Sequence, residues 1–153
     1  MPSLRRVSRL PARPAAFILA AALGLAFPVA AQAQQKGIAF SYAPEQGSGM
    51  CRGEDAAQTI ACAQRNCVEN GGDAGECAPV AWCYPSGWSV AVGLMHREGI
   101  HWSEYSCGWP SREAALAGGK VLCDLAYRQN IEACVVAVLW DEEGNEILVD
   151  EAD

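Results

Sequence analysis

His96 and His101 stand on either side of Arg97-Glu98-Gly99, a segment that turns the chain, and Glu104 follows three residues later. A hairpin there gathers two imidazoles and two carboxylates, able to share a metal ion or to use an imidazole as a base beside Glu98 or Glu104. A metal site also wants a third committed ligand, which this pair does not bring. An exposed polar hairpin explains the same residues equally well, so no metal and no cofactor is expected. Glu98 and Glu104, with Trp102, Tyr105 and Trp109 nearby, suggest a second chemistry: paired carboxylates for acid and base work and rings that stack on a sugar, as in a cell-wall or glycan hydrolase. Any surface strand in so acidic a chain shows such pairs, and strand aromatics commonly serve packing. Trp88 closes the loop Tyr84-Pro-Ser-Gly-Trp88, and Cys107-Gly-Trp-Pro110 forms another. Tyr and Trp on such loops either anchor a partner or fold over the ends of a sheet.

The eight cysteines are the other reactive groups. Their closest pair, Cys62 and Cys67, lacks the Cys-x-x-Cys spacing of zinc ribbons and thiol oxidoreductases, and an even number in a small chain reads as four disulfides. Oxidised cysteines are not nucleophiles, and no Ser nucleophile elbow is present. An enzyme is therefore the lesser expectation and no catalytic residue is assigned.

The elements that must hold these residues show a repeat. Cys51 to Cys67 and Cys107 to Cys123 have the same spacing and enclose similar segments. Asp55 matches Ser111, both good helix N-caps, and Ile60 matches Leu116 seven residues before each closing cysteine. Each segment therefore predicts an amphipathic helix ending in a core-facing cysteine. A strand opened by a cysteine follows in each half, Cys77 to Cys83 and Cys134 to Trp140, and a short apolar strand precedes, Ile38 to Tyr42 and Val90 to Leu94. Ile100 to Tyr105 predicts a second strand, with a short counterpart around Gly47 to Cys51, and Asp141 to Asn145 turns the chain into a last strand at Glu146 to Val149. The expectation is an α+β domain: an antiparallel sheet with two helices, built from two ββαβ units over about 37–87 and 88–140, with a closing hairpin strand in 141–149.

A cysteine at a helix end and one at the start of the next strand are held close by a short loop, which predicts Cys67 with Cys77 and Cys123 with Cys134. Cys51, Cys62, Cys83 and Cys107 allow three connectivities. If each helix runs antiparallel to its next strand, Cys51 with Cys83 and Cys62 with Cys107 is the mildly favoured one.

The stretches Gly37-Ile-Ala-Phe-Ser41, Ala56 to Cys67, Cys77-Ala-Pro-Val-Ala81, Ser89-Val-Ala-Val-Gly93, Ser111 to Cys123 and Cys134-Val-Val-Ala137 resemble a family of exported bacterial proteins, domain-of-unknown-function family 4189. The resemblance covers most of the chain beyond the first 33 residues and implies a duplicated, cysteine-containing exported domain with no catalytic residues to carry over. Cys51, Cys62, Cys83 and Cys107 depart from its expected cysteine positions.

Arg5, Arg6, Arg9 and Arg13 precede an apolar run from Ala15 to Phe27, then Pro28 and Ala31-Gln-Ala33. That order predicts a cleavable signal peptide over 1–33, a short linker at 34–36 and one domain over 37–153. The apolar run falls short of the roughly 20 residues of a membrane span. Val7-Ser8 after Arg5-Arg6 makes a poor twin-arginine match, and no cysteine stands at the cut to take a lipid. Cleavage would remove four of the eleven basic residues, leaving seven against eighteen acidic ones and a net charge near −11. Such a chain repels nucleic acid and anionic lipid and favours a basic protein partner or simple solubility. The expectation is a periplasmic or secreted, non-catalytic protein-binding or inhibitory module with His96, Glu98, His101, Glu104, Trp102 and Trp88 as its candidate surface.

Overall fold

The computed structural model describes residues 35–150; the expected signal peptide and its cleavage point lie outside them. The chain runs β1 (Gly37–Ala43), β2 (Gly47–Gly53), α1 (Ala56–Glu69), β3 (Ala78–Cys83), β4 (Trp88–His96), β5 (His101–Trp109), α2 (Arg112–Leu122), a 3-10 turn (Leu125–Tyr127), β6 (Ile131–Trp140) and β7 (Glu146–Leu148). Both helices begin where the caps predict. The Asp55 side chain accepts from the backbone N–H of Gln58, and the Ser111 hydroxyl accepts from that of Ala114.

The strands are antiparallel throughout, and the class is α+β. They form two sheets, one per repeat, where the sequence suggested one. The orders are β2-β1-β3 and β5-β4-β6-β7, so in each half the first strand is central, the second flanks it, and the strand after the helix closes the other side. The same topology twice is the structural counterpart of the cysteine spacing.

Alternation along the central strands stacks four layers. Ile38 and Phe40 of β1 pack with Ala91 and Trp140 of the second sheet, and Ala43 on the opposite face packs with Cys67 and Cys77 beside α1. Likewise Ala91 of β4 faces the first sheet, and its neighbour Val90 joins Ala115 of α2 and Leu139. The order is helix, sheet, sheet, helix. This explains why β1 is buried on both faces and reads as a short apolar run without polar alternation. Ser41, fully buried on β1, places its hydroxyl 2.8 Å from the carbonyl oxygen of Ala78 and 3.1 Å from that of Cys77.

The buried stripes of the helices are made of small residues: Thr59, Ala63 and Cys67 in α1, and Ala115 and Gly119 in α2. Ile60 and Leu116 are half-buried on the flanks. Small residues bring helix and sheet together. A methyl group at Gly49 of β2 would stand 2.1 Å from the carbonyl oxygen of Ala63, and one at Gly119 2.9 Å from Val90.

Four disulfides close the fold, and none of the cysteines is free. Cys67 joins Cys77 and Cys123 joins Cys134, the helix-to-strand pairs of the repeat. The other two correct the favoured pairing: Cys51 joins Cys62 and Cys83 joins Cys107. Cys51 lies on β2, and α1 folds straight back along that strand, so Cys62 inside the helix faces it with Cα atoms 5.8 Å apart. Cys107 on β5 then reaches Cys83 at the end of β3, tying one repeat to the other. Four disulfides are those of a protein matured in an oxidising compartment. Among the described residues no helix is long and apolar enough to cross a membrane.

Candidate functional site

The hairpin between β4 and β5 is where the sequence expects chemistry, and its residues disperse. His96 and Glu98 meet at the tip, with His96 Nδ1 3.7 Å from the Glu98 carboxylate and accepting the Glu98 backbone N–H at 3.2 Å. His101 pairs with Met95 across the ladder and shares its face, so His96, one residue further along β4, projects from the other. The backbone N–H of His101 donates to Glu45 Oε1 at 3.1 Å, linking this tip to the turn between β1 and β2. Among the described residues no three His, Cys, Asp or Glu side chains converge to hold a metal ion.

Glu104 sits opposite Val92, on the face of β5 that α2 covers. Both of its carboxylate oxygens accept from Arg128 at 2.7 Å, and Trp102 Nε1 donates to it at 3.3 Å. The Arg128 hydrogen bonds lower the pKa of Glu104 below its ordinary value, against a smaller opposing effect of burial. A carboxylate held ionised in this way is suited to positioning Arg128, whereas a general acid requires a raised pKa.

Trp88 lies at the far end of β4, about 26 Å of strand from His96. It pairs with Trp109 across the ladder and packs onto the cluster of Val90, Ala115 and Leu139. The six candidate surface residues thus occupy three separate places: the hairpin tip, the α2 face of β5, and the opposite end of the second sheet.

What the structure does bring together is a groove of about 380 Å³ between the two sheets. Its floor is aromatic. Phe40 stacks on Tyr105 with ring centroids 5.1 Å apart, Trp140 tilts against Phe40 at 4.8 Å, and Tyr105 and Trp140 lie 6.2 Å apart. Phe40 and Trp140 are only 1% and 7% exposed, so the half-buried ring of Tyr105 is the one that a ligand would meet. Burial raises the pKa of the Tyr105 phenol, and the charge of Glu146 adds to the rise while a hydrogen bond with Ser48 opposes it.

One wall of this groove is β2 at Ser48 and Met50, and the next is the last turn of α1 with Asn66, Glu69 and its cap Asn70. Asn66 Nδ2 donates to the Met50 carbonyl at 2.8 Å and Asn70 Nδ2 to the Ser48 carbonyl at 2.9 Å. Both amides are therefore oriented nitrogen towards β2, with their oxygens left as acceptors. Glu146 of β7 forms the far rim. No lining residue is basic.

Two other depressions offer less. One of about 470 Å³ is bordered by Lys36, Arg52, Trp109, Glu142 and Glu143, where charges of both signs meet, and Arg52 gives its guanidinium to the backbone carbonyls of Glu142 and Glu143. The other is a shallow apolar trough beside His101, between Tyr42 and the exposed Val135. Comparisons with known protein families, with curated proteins and with solved structures find no match.

Proposed function

We propose that this is an exported, non-catalytic domain that binds a basic macromolecule, an envelope or extracellular protein, as a binding or inhibitory module, and that it shares the duplicated architecture of the family it resembles. The charge carries this reading. Once the N-terminal segment is removed, seven basic residues face eighteen acidic ones, too few to neutralise the surface. A strongly negative surface accelerates encounter with a positive partner and disfavours phosphate and anionic lipid. The four disulfides support export, and they leave no thiol for redox work.

The places with catalytic residue types also fit binding better. Glu104 is committed to Arg128, and Glu98, its side chain 78% exposed, stands out on the hairpin tip. Retention of basic envelope proteins on the immobilised mature chain at about 50 mM salt, and their release at roughly 0.5 M, is the expected result. Retention that ignores salt, or hydrolysis of purified cell wall abolished by Glu98→Gln with Glu104→Gln, would overturn it.

A further inference from the structure

We propose that the groove between the sheets is a receptor for a guanidinium group, an arginine side chain of the partner, held over Tyr105 between Glu69 and Glu146. This deepens the basic-partner reading and rests on it.

The polar side chains that line the groove are rich in acceptors. Asn66 and Asn70 have turned their nitrogens onto β2, which leaves two amide oxygens, and Glu69 and Glu146 add carboxylates. Such a lining, with two carboxylates and two amide oxygens beside the hydroxyls of Ser48 and Tyr105, favours a ligand that brings donors. The electrostatics select the sign of its charge. Glu69 is the last residue of α1, beside the negative end of the helix dipole, and the last turn of α1 holds no basic residue to offset it. Glu146 adds a second negative charge across the gap, and no lysine or arginine lines the site.

Two features separate guanidinium from ammonium, and a third sets the size of the ligand. The ring of Tyr105 gives a flat aromatic surface, on which the planar, weakly hydrated guanidinium stacks better than a compact ammonium. The acceptors come from α1 on one side and β7 on the other, which suits a fork of five donors better than a point charge. The volume, near the lower end of the roughly 300–1,000 Å³ of ligand clefts, suits a single side chain.

Titration of the ¹⁵N-labelled mature protein with N-acetyl-arginine amide tests this, with N-acetyl-citrulline amide as the neutral isostere and N-acetyl-lysine amide as the other cation. Saturable shifts are expected at the Asn66 and Asn70 side-chain amides and at the backbone of Tyr105 and Trp140, with the lysine compound weaker and the citrulline compound inert. Glu69→Gln with Glu146→Gln should weaken the arginine compound about tenfold or more, since two charge-assisted contacts become neutral. Both carboxylates are exposed, so the exchange leaves the core untouched.

Arginine-induced shifts away from the groove, equal binding of citrulline or lysine, or no effect of the double exchange would overturn the assignment. Basic proteins retained undiminished by the double variant would overturn the groove and leave the basic-partner reading standing. Arginine binding in the groove with no basic protein retained would do the reverse.

Discussion

Trp109 lies over Gly118, at the place in the second repeat where the first repeat carries its Cys51–Cys62 bridge. Gly118 matches Cys62 in the repeat alignment, and a methyl group there would stand 2.4 Å from Cζ2 of the indole. Trp109 is further fixed by donating its Nε1 hydrogen to Ser106 Oγ at 3.1 Å. One half thus fastens its helix to its second strand by a covalent bond and the other by a ring, which leaves Cys107 available for Cys83. Gly118→Ala must push the indole aside, although alanine is the better helix former. A net loss of about 1–3 kcal/mol is expected in urea unfolding, with a shifted Trp109 indole N–H resonance. A stability gain with that resonance unmoved would show that the ring does not close on the helix.

Glu104 and Arg128 should make stability depend on pH in a definite direction. The carboxylate has a lowered pKa in the fold, so the pair contributes fully above the ordinary carboxylate pKa of 4.5 and is lost as pH falls through the lower folded value. Both side chains are partly exposed, at 33% and 25%, which limits the contribution to about 1 kcal/mol. Glu104→Gln is expected to lower stability by that amount at neutral pH and to flatten the profile below 4.5, as measured by urea midpoints across the acid range.

Two glycines in strands should respond oppositely to alanine. At Gly49 the added carbon meets backbone of α1 on two sides, 2.1 Å from Ala63 O and 2.2 Å from Cys67 N, so the helix itself must move. More than about 3 kcal/mol is expected to be lost, the range of severe overpacking. At Gly93 the same carbon finds ordinary contact, 3.6 Å from Val135. Gly93→Ala is expected to leave thermal stability unchanged or to raise it by up to about 1 kcal/mol, since glycine costs more chain entropy on folding.

Peptide mapping of the unreduced protein should return four linked pairs: Cys51 with Cys62, Cys67 with Cys77, Cys83 with Cys107 and Cys123 with Cys134. Replacing Cys123 and Cys134 together by alanine is expected to cost roughly 3 kcal/mol in the chain-entropy account, and removing the longer loop between Cys83 and Cys107 slightly more. Denaturant midpoints of the two double variants give the order.

Much of this architecture was legible locally. Asp55 and Ser111 announce both helix starts, and the equal cysteine spacing announces the duplication, because caps and short loops are encoded within a few residues. Which strands share a sheet was not, since alternation tells a strand's faces but not what lies across from them. The β2 strand illustrates the gap. Gly47-Ser-Gly-Met-Cys51 has little strand propensity, and it forms seven paired residues because β1 lies on one side and α1 on its face. The pairing of Cys51 with Cys62 depends on the same non-local fact. Of the candidate surface, the sequence kept His96 with Glu98 and Trp102 with Glu104, near neighbours in the chain. It missed the groove, whose Phe40, Glu69, Tyr105 and Glu146 come from four distant elements and share no local pattern.

Two of the bridges lie within the first repeat and one within the second, and Cys83–Cys107 alone joins the two. It spans the linker of residues 84–87, whose Tyr84 and Pro85 are exposed. A protease that nicks that linker would therefore yield two fragments on a reducing gel and one intact species without reductant. The domain can outlive a break in its own backbone wherever thiols are too scarce to reduce that one bridge.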